Sequence, residues 1–142
     1  MKNQINIIVF VDTIGALSSQ SLDKFTYAVD NSEFNSTGQG TASLSTICQP
    51  GQVIQWIICA IDLQTPAAIN NIRFLPVNPE SELFEEPDEQ QYVNENPDLD
   101  VWKGIVPATM IPGVPYRYVF EVVIGEGKNS LLSIQTLSLI RN

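Results

Sequence analysis

The sequence predicts an all-β protein, a two-sheet antiparallel β-sandwich of about seven or eight strands, on three observations. Short runs rich in Ile, Val, Phe, Tyr and Thr follow one another along the chain. Clusters of Gly, Pro, Asn and Asp separate them. No long stretch keeps the period of an amphipathic helix. The chain has 142 residues, 44% hydrophobic and 16% charged, which suits one domain around one core.

The elements follow in order. In residues 5–11, Ile5, Ile7, Val9 and Val11 face one way while Ile8 and Phe10 face the other, so this strand is apolar on both sides and reads as central. Its apolar run lies at the short end for a signal-peptide core and stops at Asp12, a turn-maker whose carboxylate suits local backbone N–H groups. A brief helix is placed over residues 18–24, and a short strand over 25–30. Residues 41–48 set Ala42, Leu44, Thr46 and Cys48 against Ser43, Ser45 and Ile47, the pattern of a half-buried strand. Gln49-Pro50-Gly51 then reads as a hairpin turn into residues 52–62, a second two-sided apolar strand expected deep in the core with Trp56. Further strands are expected over 69–77, 101–105, 116–124 and 131–140, the last two joined across residues 125–129.

The net charge of −9 is local. Residues 79–100 hold nine of the sixteen acids and no Lys or Arg, and the remaining seven acids balance the seven basic residues. With Pro79, Pro87 and Pro97 inside it, this segment is expected to be a solvated acidic loop insertion. Nucleic acid and anionic membrane surfaces are disfavoured as partners, because both need clustered Lys and Arg. No apolar stretch reaches the length needed to cross a bilayer.

The chain has no histidine, which removes imidazole acid–base chemistry, His-dependent triads and the commonest transition-metal ligand together. Neither a catalytic residue, a cofactor nor a resident metal is expected. Cys48 and Cys59 are the only cysteines and are expected reduced, since the supposed hairpin would hold them roughly 20 Å apart. Ser21 and Lys24 match S-x-x-K, but the chain has no K-T-G partner motif, and a surface turn is the better account. Gly127-Lys128 lacks the flanking residues of a phosphate loop and fits a hairpin loop. The acids of residues 79–100, including Asp98 and Asp100, offer oxygen ligands for Ca²⁺ without the Gly punctuation of an EF-hand. Of the aromatic residues that suit a sugar platform, Trp56 reads as core. Trp102, which follows the acidic segment, divides between packing and ligand binding together with Asp98 and Asp100.

Several segments together resemble the AidA/PixA family of bacterial inclusion body proteins. They are residues 7–17 (IIVFVDTIGAL), 40–56 (GTASLSTICQPGQVIQW), 60–62 (AID), 102–104 (WKG) and 116–121 (YRYVFE), in family order along most of the chain. The resemblance implies a small cytoplasmic protein, linked in some members to quorum-dependent expression and in one branch to crystalline inclusions, with no catalytic residues to carry over. That branch is methionine-rich, whereas Met1 and Met110 are the only methionines here. The leading expectation is a non-enzymatic protein that forms a homo-oligomer or higher assembly. The second is a lectin-like module binding a glycan or small molecule, with or without Ca²⁺, through Trp102, Asp98 and Asp100.

Overall fold

Strand β1 (Gln4–Val11) buries every second residue, so Ile5, Ile7, Val9 and Val11 are fully enclosed while Gln4, Asn6, Ile8 and Phe10 are only half-buried. The same alternation builds β4 (Val53–Ala60), with Ile54, Trp56 and Ile58 inward. The computed structural model describes residues 3–62, 64–75, 93–96, 101–125 and 131–142, with backbone alone for 93–96 and Val101. Around β1 and β4 it places α1 (Thr13–Ser19), β2 (Thr26–Asp30), β3 (Ser45–Cys48), β5 (Ala67–Phe74), β6 (Val93–Asn96), β7 (Val101–Ile105), β8 (Pro115–Ile124) and β9 (Leu131–Arg141).

These strands form a two-sheet β-sandwich, as expected. One sheet has five strands in the order β2-β1-β4-β7-β6, and the other has four in the order β3-β9-β8-β5. Between them lies one apolar core, to which β8 contributes Tyr116, Tyr118, Phe120, Val122 and Ile124 and β9 contributes Ile134, Leu137 and Leu139. Two ladders, β1 with β4 and β3 with β9, are parallel, so the sheets are mixed rather than wholly antiparallel.

The expected hairpin about Gln49-Pro50-Gly51 is instead a corner between sheets, since β3 belongs to the four-stranded sheet and β4 to the five-stranded one. Gly51 takes a positive φ of 88° there, and its N–H bonds to Val106 O at 3.0 Å. Buried Gln52 closes the corner by accepting from Gln49 N at 2.7 Å through its Oε1. The separation of the cysteines inferred from a hairpin therefore does not apply, although both are free thiols.

The helix also lies elsewhere than over residues 18–24. It starts directly after β1, where Asp12 is the N-cap and its Oδ1 accepts from Gly15 N at 3.2 Å, as the turn-maker reading anticipates. It ends at Gln20, the one described non-glycine residue with positive φ. Gly15 is required by packing, because a Cβ there would stand 2.5 Å from two ring carbons of Phe25. Within the acidic segment, β6 pairs with β7, so that segment is not entirely loop. Its other residues, Asp98 and Asp100 among them, lie outside the described residues.

Candidate functional site

The centre of the core is aromatic. Trp56 meets Tyr118 edge-on, with centroids 5.6 Å apart and planes at 74°, and its Nε1 donates to Tyr118 Oη at 3.1 Å. Phe74 also packs against Tyr118, with ring centroids 5.3 Å apart. Burial raises the Tyr118 phenol above its ordinary range, since the phenolate would have no water. Tyr116 is also buried, and its hydroxyl accepts from Ile111 N at 2.8 Å. These rings are packing elements and form no open platform.

Trp102 stands directly opposite Trp56 in the β4–β7 ladder, which puts both rings on the inward side of the sheet. It is half-buried against the core, and its Nε1 is buried without a hydrogen-bond partner among the described residues. Asp98, Asp100 and Tyr92 are outside the described residues, so their relation to Trp102 stays an expectation from sequence; Gly127 and Lys128, read as a hairpin loop, are outside them too. Among the described residues, no cluster of three or more Cys, Asp or Glu could hold a metal ion.

Several other polar groups are tied into structure. Asp30 accepts from Ser32 N at 3.0 Å, Gln39 Nε2 at 3.0 Å and Thr46 Oγ1 at 2.8 Å, which joins the end of β2 to β3 across the sandwich rim. Cys48 is buried beneath it, with Sγ directed at Ile140 O at 3.6 Å. Burial, with a smaller contribution from the Asp30 charge, pushes its thiol up to about 12, so it is protonated and unreactive at neutral pH. Ser21 sits in the turn after α1, its hydroxyl accepting from Asp23 N at 3.2 Å.

Both outer faces mix apolar and polar residues. On the four-stranded sheet, Arg73, Arg117, Glu121, Asn71 and Ser133 point outward together with Val119, Val123 and Leu131. On the five-stranded sheet, the registers align Val29, Ile8 and Ile57 in one row and Tyr27, Phe10 and Cys59 in the next. Val53 and Ile105 pair further along the same face. A polar band crosses between them, where Gln4 Nε2 donates to Asn6 Oδ1 at 2.8 Å and to Gln55 Oε1, with Lys103 opposite Gln55. Tyr27 is 42% exposed and Ile105 55%, with the other members half-buried. The two-sided apolar pattern of β1 and β4, read from sequence as deep burial, thus marks a sheet whose outer side is only partly covered.

This architecture defines the chain as a β-sandwich protein with the fold of a known bacterial inclusion body protein. The crystal structure of PixA from Burkholderia cenocepacia superposes with a TM-score of 0.65 over 99% of this chain and 92% of that one, at 8% sequence identity. The likeness to AidA/PixA proteins read from sequence is thereby met at the level of the fold. In sequence, residues 3–129 match a family described as a domain of unknown function, DUF8788, and the chain belongs to that family. No curated protein matches it. Among the described residues, no helix is long and apolar enough to cross a membrane.

Proposed function

We propose that this chain is a non-enzymatic, cytoplasmic protein of the inclusion body type, which associates with its own copies into an oligomer or larger assembly. A storage role and stationary-phase or quorum control accompany that reading. The observation that carries it is the charge layout, because outside residues 79–100 acids and bases balance and copies can approach with little repulsion. The shared fold with PixA, itself described as an inclusion body protein, supports the same reading.

Light scattering at rising concentration is expected to show mass growth, steeper at high salt and towards the pI of about 4.2, where the net charge of −9 is screened or titrated away. A strict monomer under all these conditions would remove the proposal.

A second reading, a lectin-like module using Trp102, Asp98 and Asp100, is favoured by one observation. The buried Trp102 Nε1 has no acceptor among the described residues, and a ligand hydroxyl would supply one. A glycan array probed with and without Ca²⁺ is expected to give binding that Trp102→Phe abolishes. A blank array under both conditions would leave assembly as the surviving reading.

A further inference from the structure

We propose that residues 31–44 are a strap that keeps copies of this chain from pairing edge to edge, and that the β2 and β3 edges join copies when the strap opens. The inference rests on the self-association reading above and adds its control. A strand edge is a row of unpaired N–H and C=O groups, a template for any other edge that reaches it. At this rim the template is filled from within the chain.

The ladders show which backbone groups look outward. Asn31 N bonds to Asn6 O of β1, so the alternating residues Ala28 and Asp30 of β2 turn their N–H and C=O away from β1. Ser138 N bonds to Leu44 O and Asn142 N to Cys48 O, so Ser45 and Ile47 of β3 turn theirs away from β9. The strap meets every one of these groups. Ala28 N donates to Thr41 O at 3.1 Å, and its carbonyl accepts from Gly40 N at 2.7 Å. At Asp30 the Gln39 side chain stands in for a strand, its Oε1 accepting from Asp30 N at 2.9 Å and its Nε2 donating to Asp30 O at 3.4 Å. On the other sheet, Ser45 N donates to Thr37 O at 2.8 Å and Thr37 N to Ser45 O at 3.1 Å. Ile47 N donates to Ser36 Oγ at 3.1 Å, and Ile47 O accepts from Ser32 Oγ at 2.6 Å.

Polar contacts hold the strap more than burial does. Only Leu44, at its end, is fully enclosed, while Ala42 rests on the core and Phe34 is half-buried. Segments with few apolar contacts open more readily than the core around them. One carboxylate fastens this one, since Asp30 accepts from Ser32 N, Gln39 Nε2 and Thr46 Oγ1 and so binds the strap to both sheets. A second copy, opened in the same way, presents the same two rows. β3 carries no charged residue and β2 only Asp30. An antiparallel β2 pair centred on Ala28 sets Asp30 opposite Thr26 rather than opposite its own copy, so the contact opposes no like charges.

Gln39→Ala, at an exposed position, tests the strap. Hydrogen exchange at the Ala28 and Asp30 amides is expected to quicken about tenfold, and Ser45 and Ile47 to follow because the strap opens as one unit. Light scattering is expected to show mass growth beginning at about tenfold lower concentration. Asp30→Ala is the second variant, with far-UV circular dichroism to check that each keeps the fold. Tyr118→Phe loosens the core and leaves the strap intact, so it is expected to change neither readout.

Faster exchange with an unchanged onset of association would overturn the strap's control while leaving self-association intact. Unchanged exchange at these amides, or an equal effect of Tyr118→Phe on association, would overturn it too. Variants that associate while the unsubstituted chain stays monomeric would uphold the strap and remove the self-association reading for the closed chain. Variants with freed edges that stay monomeric, like the unsubstituted chain, would end both proposals.

Discussion

Trp56→Ala is expected to destabilise the protein by about 3–5 kcal/mol, a large share of the roughly 5–15 kcal/mol that holds a domain of this kind folded. The side chain is fully buried in the central strand of the five-stranded sheet, and truncation would empty the space between Tyr118 and the apolar residues of β1. Collapse into that space is resisted because β1 and β7 fix β4 from both sides. Tyr118→Phe keeps the ring packing and removes only the hydroxyl that accepts from Trp56 Nε1 at 3.1 Å. Its cost is expected to be smaller, about 1–2 kcal/mol. Urea unfolding of both variants checks the pair, and a Trp56→Ala loss below about 1 kcal/mol would contradict the packing described.

The second large effect is on alkaline stability. Cys48 rises from an ordinary 9.0 to about 12 in the folded chain, and burial raises Tyr118 as well. Both groups therefore ionise first in the unfolded state. Their contribution is constant below pH 9.0, where both states hold the thiol proton, and becomes increasingly destabilising as pH rises towards the folded values. Each group can remove at most about 1.4 kcal/mol per pH unit, so a loss of a few kcal/mol is expected by about pH 11. Cys48→Ala should move the onset of that loss upward by about one unit, to where tyrosine begins to ionise. Melting temperatures that stay level to about pH 11 in the unsubstituted protein would rule out this account.

What could be read from sequence follows the reach of each physical signal. Alternation is local, so the inward set Ile5, Ile7, Val9 and Val11, and the inward Tyr116, Tyr118 and Phe120, were legible from the residues themselves. Sheet membership is not local. Gln49-Pro50-Gly51 has turn chemistry that serves a hairpin and a sheet-to-sheet corner equally well, and only the partners β9 and β1 decide between them. β6 escaped notice because Val93-Asn94-Glu95-Asn96 has the composition of a loop, and its order comes from pairing with β7.

The candidate site shows the same limit. The acid-rich approach to Trp102 suggested a binding rim, whereas the register with Trp56 turns the ring inward. Conversely, the apolar residues on both sides of β1 and β4 were visible from the start, but they do not tell a doubly covered strand from one whose outer side is only partly covered. Lifting that ambiguity took the outer registers of the sheet.

The parallel ladders set a timetable for synthesis. Ser45 of β3 meets Ser138 of β9, 93 positions later in the chain, and Gln4 of β1 meets Gln55 of β4, 51 positions later. At about 5–20 residues per second, a ribosome takes between roughly 5 and 20 seconds to deliver the partner that β3 needs. During that interval, the five-stranded sheet can form most of its ladders while its inward side waits uncovered for β8 and β9. A nascent chain thus shows apolar surface on both sides of one sheet at once, and crowded polysomes making this protein bring such half-built chains together before any of them is finished.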